Sequence, residues 1–159
     1  MRCEKKMRDF EKISFKQFKK DVAEDINLYN EYELPQRDSD STAGYDIYLL
    51  QDLIIEPNEI KKIPTGIKSF FEKDEVLFLI VRSSTGFKYN IRLCNQVGVI
   101  DSDYYNNQNN EGHIWIKIQN EGKEKVIIPQ GEAIVQGIFL KYLTTQSDKD
   151  RNIKRTSDY

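Results

Sequence analysis

The sequence predicts an all-β sandwich or barrel over residues 34–146, on three observations. Short apolar runs recur from Asp46 onward, turn residues containing proline or glycine separate them, and Ile114, Ile116 and Ile118 alternate with Trp115, Lys117 and Gln119. The alternation is the period-two pattern of a half-buried strand, and many short strands between turns suit a sandwich or barrel.

The elements follow in order. Residues 1–33 form an N-terminal segment in which Ser14 followed by Gln17 reads as a capping box. Phe15, Phe18, Val22 and Ile26 fall at helical spacing, which predicts one short amphipathic helix packed on the domain. Strands are expected at Asp46–Leu50, Leu53–Ile55 and Ile60–Ile63, punctuated by Pro57-Asn58 and Pro64-Thr65-Gly66. Val76–Val81 is a continuous apolar run of strand length, expected to be buried on both faces. Val126–Ile128 ends at Pro129-Gln130-Gly131, and Ala133–Leu143 is the last strand region. Residues 147–159 are polar and aperiodic, the signature of a mobile C-terminal tail.

Composition removes several function classes. A chain of 159 residues with 38% hydrophobic and 31% charged residues matches a single globular domain. A formal net charge of -2 makes no electrostatic case for a nucleic-acid partner or an anionic membrane. No apolar run approaches the roughly 20 residues of a membrane-spanning helix. The charged N-terminus has no apolar core of a signal peptide. Cys3 and Cys94 fit no metal or redox spacing, so a reducing, cytoplasmic setting is expected. His113 is the single histidine, which leaves too few parts for a zinc site or a Ser-His-Asp triad. Any chemistry falls to carboxylates and hydroxyls, with a hard oxygen-liking ion such as Mg²⁺.

Four stretches interrupt the strand pattern. In STAGYDIYL (41–49), Gly44 allows a turn and Asp46 sits where a strand begins; taken alone, a solvated acid in a β-turn is the better reading of them. In RSSTGFK (82–88), Arg82, Ser83 and Ser84 follow a buried strand. Guanidinium and hydroxyl groups suit phosphate oxygens, although a plain surface turn has the same composition. In NQVGVIDSDYYNN (95–107), Asn95 carries the donor and acceptor that a base edge requires, and Asp101 follows a strand as a general base would. An aspartate of ordinary pKa, about 3.9, is a weak base, so positioning has to supply most of the effect. In PQGEAIVQGIF (129–139), Gln136 is polar within an apolar strand, as an edge position facing water would also be.

In order and spacing these stretches resemble the trimeric dUTPase family of jelly-roll enzymes. AGYD (43–46), RSS (82–84), NQVGVIDSDY (95–104) and GEAIVQGIF (131–139) are similar to its first four motifs, and PTGIK (64–68) to a stretch between the first two. The resemblance spans about residues 34–143. It implies a jelly-roll β-barrel, hydrolysis of dUTP to dUMP and pyrophosphate, Mg²⁺ carried on the triphosphate, and a homotrimer with sites built across subunits. Asp101 would activate water for attack on the α-phosphorus. Tyr104 would lie against the deoxyribose and leave no room for a 2′-hydroxyl. Asn95 and Gly98 would belong to a hairpin that holds uracil and excludes a 5-methyl group. Arg82, Ser83 and Ser84 would hold phosphates, Gln136 would contact the α-phosphate region, and Asp46 would orient Arg82 or lie near the metal. Asp103 would be structural.

Two positions depart from the family pattern. Ala133 stands where the fourth motif usually has arginine. The fifth motif is an arginine followed by a glycine-rich arm, and here only its start has a counterpart. Arg155 would be the phosphate-contacting arginine and Tyr159 the ring on the base, but no glycine follows Gly137. A dCTP deaminase, which shares the fold, would need a glutamate where this chain has Lys117. A dUTP-binding or partner-binding module with weak catalysis is the remaining alternative.

Overall fold

The structure is a computed structural model that describes residues 7–151 and 153–155, the side chain of Asp150 excepted. The chain runs β1 (Asp9–Lys12), α1 (Phe15–Asp21), α2 (Ile26–Glu31), β2 (Gln36–Arg37), β3 (Tyr45–Tyr48), β4 (Leu53–Ile55), β5 (Ile60–Pro64) and β6 (Ile67–Phe70). It continues through β7 (Glu75–Val81), α3 (Ser83–Tyr89), β8 (Ile91–Leu93), β9 (Gly98–Ile100), β10 (Trp115–Asn120), β11 (Val126–Ile128) and β12 (Ala133–Lys141). The strands form sheets in the orders β2-β3-β12-β7-β9 and β5-β10-β8, with the separate pairs β1-β6 and β11-β4. Every pairing among the described residues is antiparallel. The all-β reading holds; the sheets are not joined by hydrogen bonds into one closed barrel.

Sequence pattern accounts for the core. Ile116 and Ile118 of β10 are buried while Lys117 between them is exposed, as the alternation requires. The unbroken apolar run of β7 suits a strand enclosed between β12 and β9. Its Leu77 and Leu79 point into the main core with Ile47, Ile55, Ile118 and Val135, while Phe78 and Ile80 on the other face are only half-buried. Each such core side chain contributes about 1.5–3 kcal/mol of burial free energy.

The N-terminal segment differs from the single helix expected. Its helical pattern is split: α1 ends at Asp21, and a second cap at Asp25, whose carboxylate accepts from Leu28 N–H at 3.0 Å, starts α2. Ile26 is therefore exposed rather than packed. The capping box is half formed. Ser14 Oγ accepts from Gln17 N–H at 3.2 Å, but the Gln17 amide turns forward to Asp21 at 2.8 Å. Phe18, Ile13 and Leu50 make a second small core, ringed by Phe15, Val22, Tyr29 and Tyr32. The segment also supplies β1, an edge strand that pairs with β6 and sends Phe10 into the main core. Among the described residues no helix is long and apolar enough to cross a membrane.

His113 joins this segment to the β domain. Its ring is fully buried, Nε2 accepts from Gly66 N–H at 2.9 Å, and Nδ1 lies 2.6 Å from Asp21 Oδ2. An accepting Nε2 assigns the proton to Nδ1, so the ring is neutral and donates to Asp21. Burial lowers its pKa, and the Asp21 carboxylate only partly opposes that. A histidine with a depressed folded pKa binds its proton more readily when unfolded. Stability is therefore full above the ordinary value, about 6.5, and declines as pH falls from there toward the folded pKa. With one histidine in the chain, the melting temperature is expected to be flat from pH 8 to about 6.5 and to fall below it. A His113→Gln variant should lose that decline between about pH 6.5 and 5.5. Superimposable profiles of the two proteins would show that the buried ring does not control the transition.

Candidate active site

Two groups of polar side chains are built on the five-stranded sheet, at different ends of it. The first gathers where β7 gives way to α3. The chain turns there because Arg82 N–H bonds Ile134 O of β12 at 3.1 Å and the buried Thr85 hydroxyl donates to the same carbonyl at 2.9 Å. Asn90, left-handed at φ 55°, closes the helix after two turns. Ser83 and Ser84 thus stand exposed in the first turn of α3, where backbone N–H groups lack helical acceptors.

The neighbouring strands complete this group. Asp46 on β3 lies opposite Gln136 on β12, and Gln136 lies opposite Ile80 on β7. Arg82 Nε stands 3.0 Å from Asp46 Oδ1. Burial raises the Asp46 pKa, and the Arg82 charge pulls it back. The Gln136 amide donates to Val81 O at 3.3 Å. Because β12 lies between β3 and β7, Gln136 is on a central strand and not at an edge facing water. Gly44 makes room for it: a Cβ on Gly44 would lie 2.0 Å from Gln136 Oε1 and 3.0 Å from its Cβ. Ala133, in the position of the family arginine, is half-buried opposite Tyr48.

The second group lies on and after β9. Gly98 is buried against Leu79, and together with Asn95, Leu93, Trp115 and Lys117 these residues line a cavity of about 250 Å³. Asn95 is exposed in the tight turn before β9, where Gln96 takes a positive φ of 62°. Asp101 follows β9, and its carbonyl accepts from Tyr104 N–H at 3.1 Å to close a 3₁₀ turn. The Tyr104 ring is buried; its hydroxyl donates to His113 O at 2.6 Å and accepts from the Asn110 amide at 2.8 Å. Burial raises its pKa, which keeps it a protonated phenol. Arg155 spans both carboxylates of the turn, with Nη2 2.6 Å from Asp101 Oδ2 and Nε 2.8 Å from Asp103 Oδ1. Asp101 and Asp103 remain about half-exposed, at 48% and 54% of their side-chain area. Tyr159 lies outside the described residues.

One chain does not bring Asp101 and Arg82 together. Leu79 pairs with Gly98 and Leu77 with Ile100, so Asp101 continues toward Val76 while Arg82 continues past Val81. At about 3.3 Å per residue, roughly 20 Å of strand separates their levels. Sequence reasoning also missed the supports of this region. Asn110, Asp21 and the structural use of His113 carry no local pattern, and only the single buried-type histidine beside a glycine could have pointed to them.

An antiparallel all-β domain with guanidinium, hydroxyl and amide groups at one sheet end and a turn-borne aspartate at the other is of the jelly-roll class. Comparison with known proteins places it further. The dUTPase family model matches residues 30–159. Over 118 residues the chain is 43% identical to deoxyuridine 5'-triphosphate nucleotidohydrolase of Lactococcus lactis, covering 74% of this chain and 79% of that one. Its Haemophilus influenzae counterpart is 32% identical over 135 residues, covering 83% of this chain and 85% of its own. The crystal structure of dUTPase from Streptococcus mutans superposes with a TM-score of 0.70 at 39% identity, covering 86% of this chain and 98% of that one. The chain belongs to the dUTPase family. The phage phi11 dUTPase of S. aureus shares the fold at 18% identity and a TM-score of 0.67, covering 97% of this chain and 98% of that one.

The Gly44 contact yields a test of the first group. Gly44→Ala should push Gln136 off Val81 and lower turnover about 10- to 100-fold, since sub-ångström to 1 Å displacements at a site have effects of that order. The fold should survive, because the displaced atoms belong to one flexible side chain. Steady-state assay beside a melting curve separates the two effects.

Proposed function

We propose that the chain is a dUTP diphosphatase in which Asp101 is the general base and the two polar groups meet across subunits. Family membership supports the reaction, dUTP to dUMP and pyrophosphate. The observation that carries the assembly is the antiparallel β7–β9 ladder: a substrate touching both Asp101 and Arg82 needs them from different copies. A homotrimer fits this requirement. Residues 34–146 then form the catalytic domain, residues 147–159 a tail with the start of the fifth motif, and the setting is cytoplasmic.

In this reading uracil enters the hairpin formed by Asn95 and Gly98, and Tyr104 lies against the deoxyribose. A buried polar group left unmatched by the wrong base weakens binding, which favours uracil over cytosine. Arg82, Ser83 and Ser84 of another copy hold phosphate oxygens, Gln136 faces the α-phosphate, and Asp46 fixes the guanidinium of Arg82. Asp101 accepts a proton from the attacking water, whose oxygen bonds to the α-phosphorus as the bridging oxygen leaves with pyrophosphate. Arg155 occupies Asp101 Oδ2. A triphosphate offers that guanidinium further acceptors of higher charge, and with five N–H donors Arg155 can bond a phosphate oxygen beside the carboxylates.

Among the described residues no three His, Cys, Asp or Glu side chains are grouped to cage a metal ion. Mg²⁺ held mainly by phosphates and waters needs one or two carboxylates at most, and Asp46, beside Arg82, would be such a ligand. When bound, the ion would supply charge neutralisation at the leaving pyrophosphate.

Asp101→Asn should abolish turnover while dUTP still binds, read by pyrophosphate release and by titration calorimetry. Coexpression with an Arg82→Ala chain tests the shared site. Random mixing of two inactive chains should restore about a quarter of the sites when each draws the two residues from different copies. No recovery from a properly mixed oligomer would place the site within one chain.

A further inference from the structure

The N-terminal segment makes three separate side-chain contacts with one loop, and it is the loop that follows Asp101. The Tyr105 hydroxyl donates to the Glu11 carboxylate, the Glu111 carboxylate accepts from Ser14 N–H at 2.6 Å, and Asp21 takes the ring N–H of His113 at 2.6 Å. The loop is also tied to itself. The Asn107 amide donates to Tyr104 O and to Asn110 Oδ1, both at 2.8 Å, and Gly112 holds a φ of +83° where a Cβ would lie 2.8 Å from Tyr104 O. These bonds converge on the Tyr104 hydroxyl, held by the His113 carbonyl and the Asn110 amide.

We propose that Asp21 and His113 are positioning residues for Tyr104: α1 clasps the His113 ring, the His113 carbonyl holds the tyrosine hydroxyl, and the phenol ring is thereby kept where it excludes a 2′-hydroxyl. The inference rests on the assignment of Tyr104 to the sugar. A steric gate discriminates only while the blocking ring cannot yield. Deoxyribose and ribose differ by one oxygen, so a ring displaced by about 1 Å no longer tells them apart. The His113 ring is fixed at both nitrogens, by Asp21 and by Gly66 N–H. Its backbone carbonyl is therefore a fixed acceptor, with the ring locked in a dry site. Residues 8–33 acquire a purpose in this arrangement, since the clasp comes from α1.

The test measures kcat and KM for dUTP and for UTP in the wild type and in Asp21→Ala, Asp21→Asn, Tyr104→Phe, His113→Gln and Tyr104→Ala. Asp21→Ala, which releases the ring, and Tyr104→Phe, which cuts the tether and keeps the ring, should each raise the UTP to dUTP ratio of kcat/KM about tenfold. Asp21→Asn keeps an oxygen acceptor for His113 Nδ1–H and should stay near the wild-type ratio. An Asp21→Ala protein that melts lower yet keeps the wild-type ratio would overturn the proposal, because the clasp would then be structural only. Should Asp21→Ala not fold, His113→Gln and Tyr104→Phe decide: unchanged ratios in both overturn it. Tyr104→Ala separates this inference from the one beneath it. A wild-type ratio there removes Tyr104 from the sugar altogether, whereas a relaxed ratio beside an unaltered Asp21→Ala protein sinks the clasp alone.

Discussion

Gly98 lies so close to Leu79 that a Cβ on it would stand 3.0 Å from the leucine Cβ, and the antiparallel ladder anchored there directs both functional halves of the chain. Antiparallel pairing sends the continuation of one strand away from the continuation of its partner. Arg82 and Asp101 are each the first residue beyond a strand end, so the ladder that fixes them also separates them. The same close packing leaves little room for a side chain at position 98, where the backbone lines the cavity together with Asn95. In the proposed function a site split in this way has the strands as rigid supports and leaves the joining of its halves to assembly.

The group around Arg82 gains its order from a strand that could have been solvent-facing. Placing β12 between β3 and β7 puts Gln136 in a row with Asp46 and Ile80, and Gly44 supplies the space its amide occupies. Polar atoms on such a row are costly unless bonded, and each is bonded: Gln136 to Val81 O, Asp46 to Arg82. The half-buried ion pair is oriented more than it is stabilising, because the desolvation that raises the Asp46 pKa offsets part of the attraction.

Much of this was legible. β4 and β11 fall on the residues expected from turn punctuation alone, and β10 follows its alternation, because short strands between prolines and glycines leave little freedom of register. Arg82, Asp46 and Gln136 were visible as polar interruptions of apolar runs. The α3 helix was not, since Ser-Ser-Thr-Gly has poor helix propensity and the turn is held by Thr85 on Ile134 O, 49 residues away. β1 was missed because Asp9-Phe10-Glu11-Lys12 is a charged edge with one inward residue. The Asp21–His113 bond joins residues 92 apart in sequence, and no local pattern encodes such a pairing.

Arg155 couples the two carboxylates of the turn after β9 through charge. Asp101 and Asp103 lie one residue apart, and the 3₁₀ turn points both carboxylates at one guanidinium. The guanidinium carries five N–H donors, so its bonds to both carboxylates do not bar a bond to a phosphate oxygen. In the proposed reading a triphosphate adds acceptors of higher charge to the two carboxylates already on Arg155. In the mechanism proposed above, one arginine thus links the turn that carries Asp101 to the phosphates, and the charge around that carboxylate depends on a bound polyphosphate.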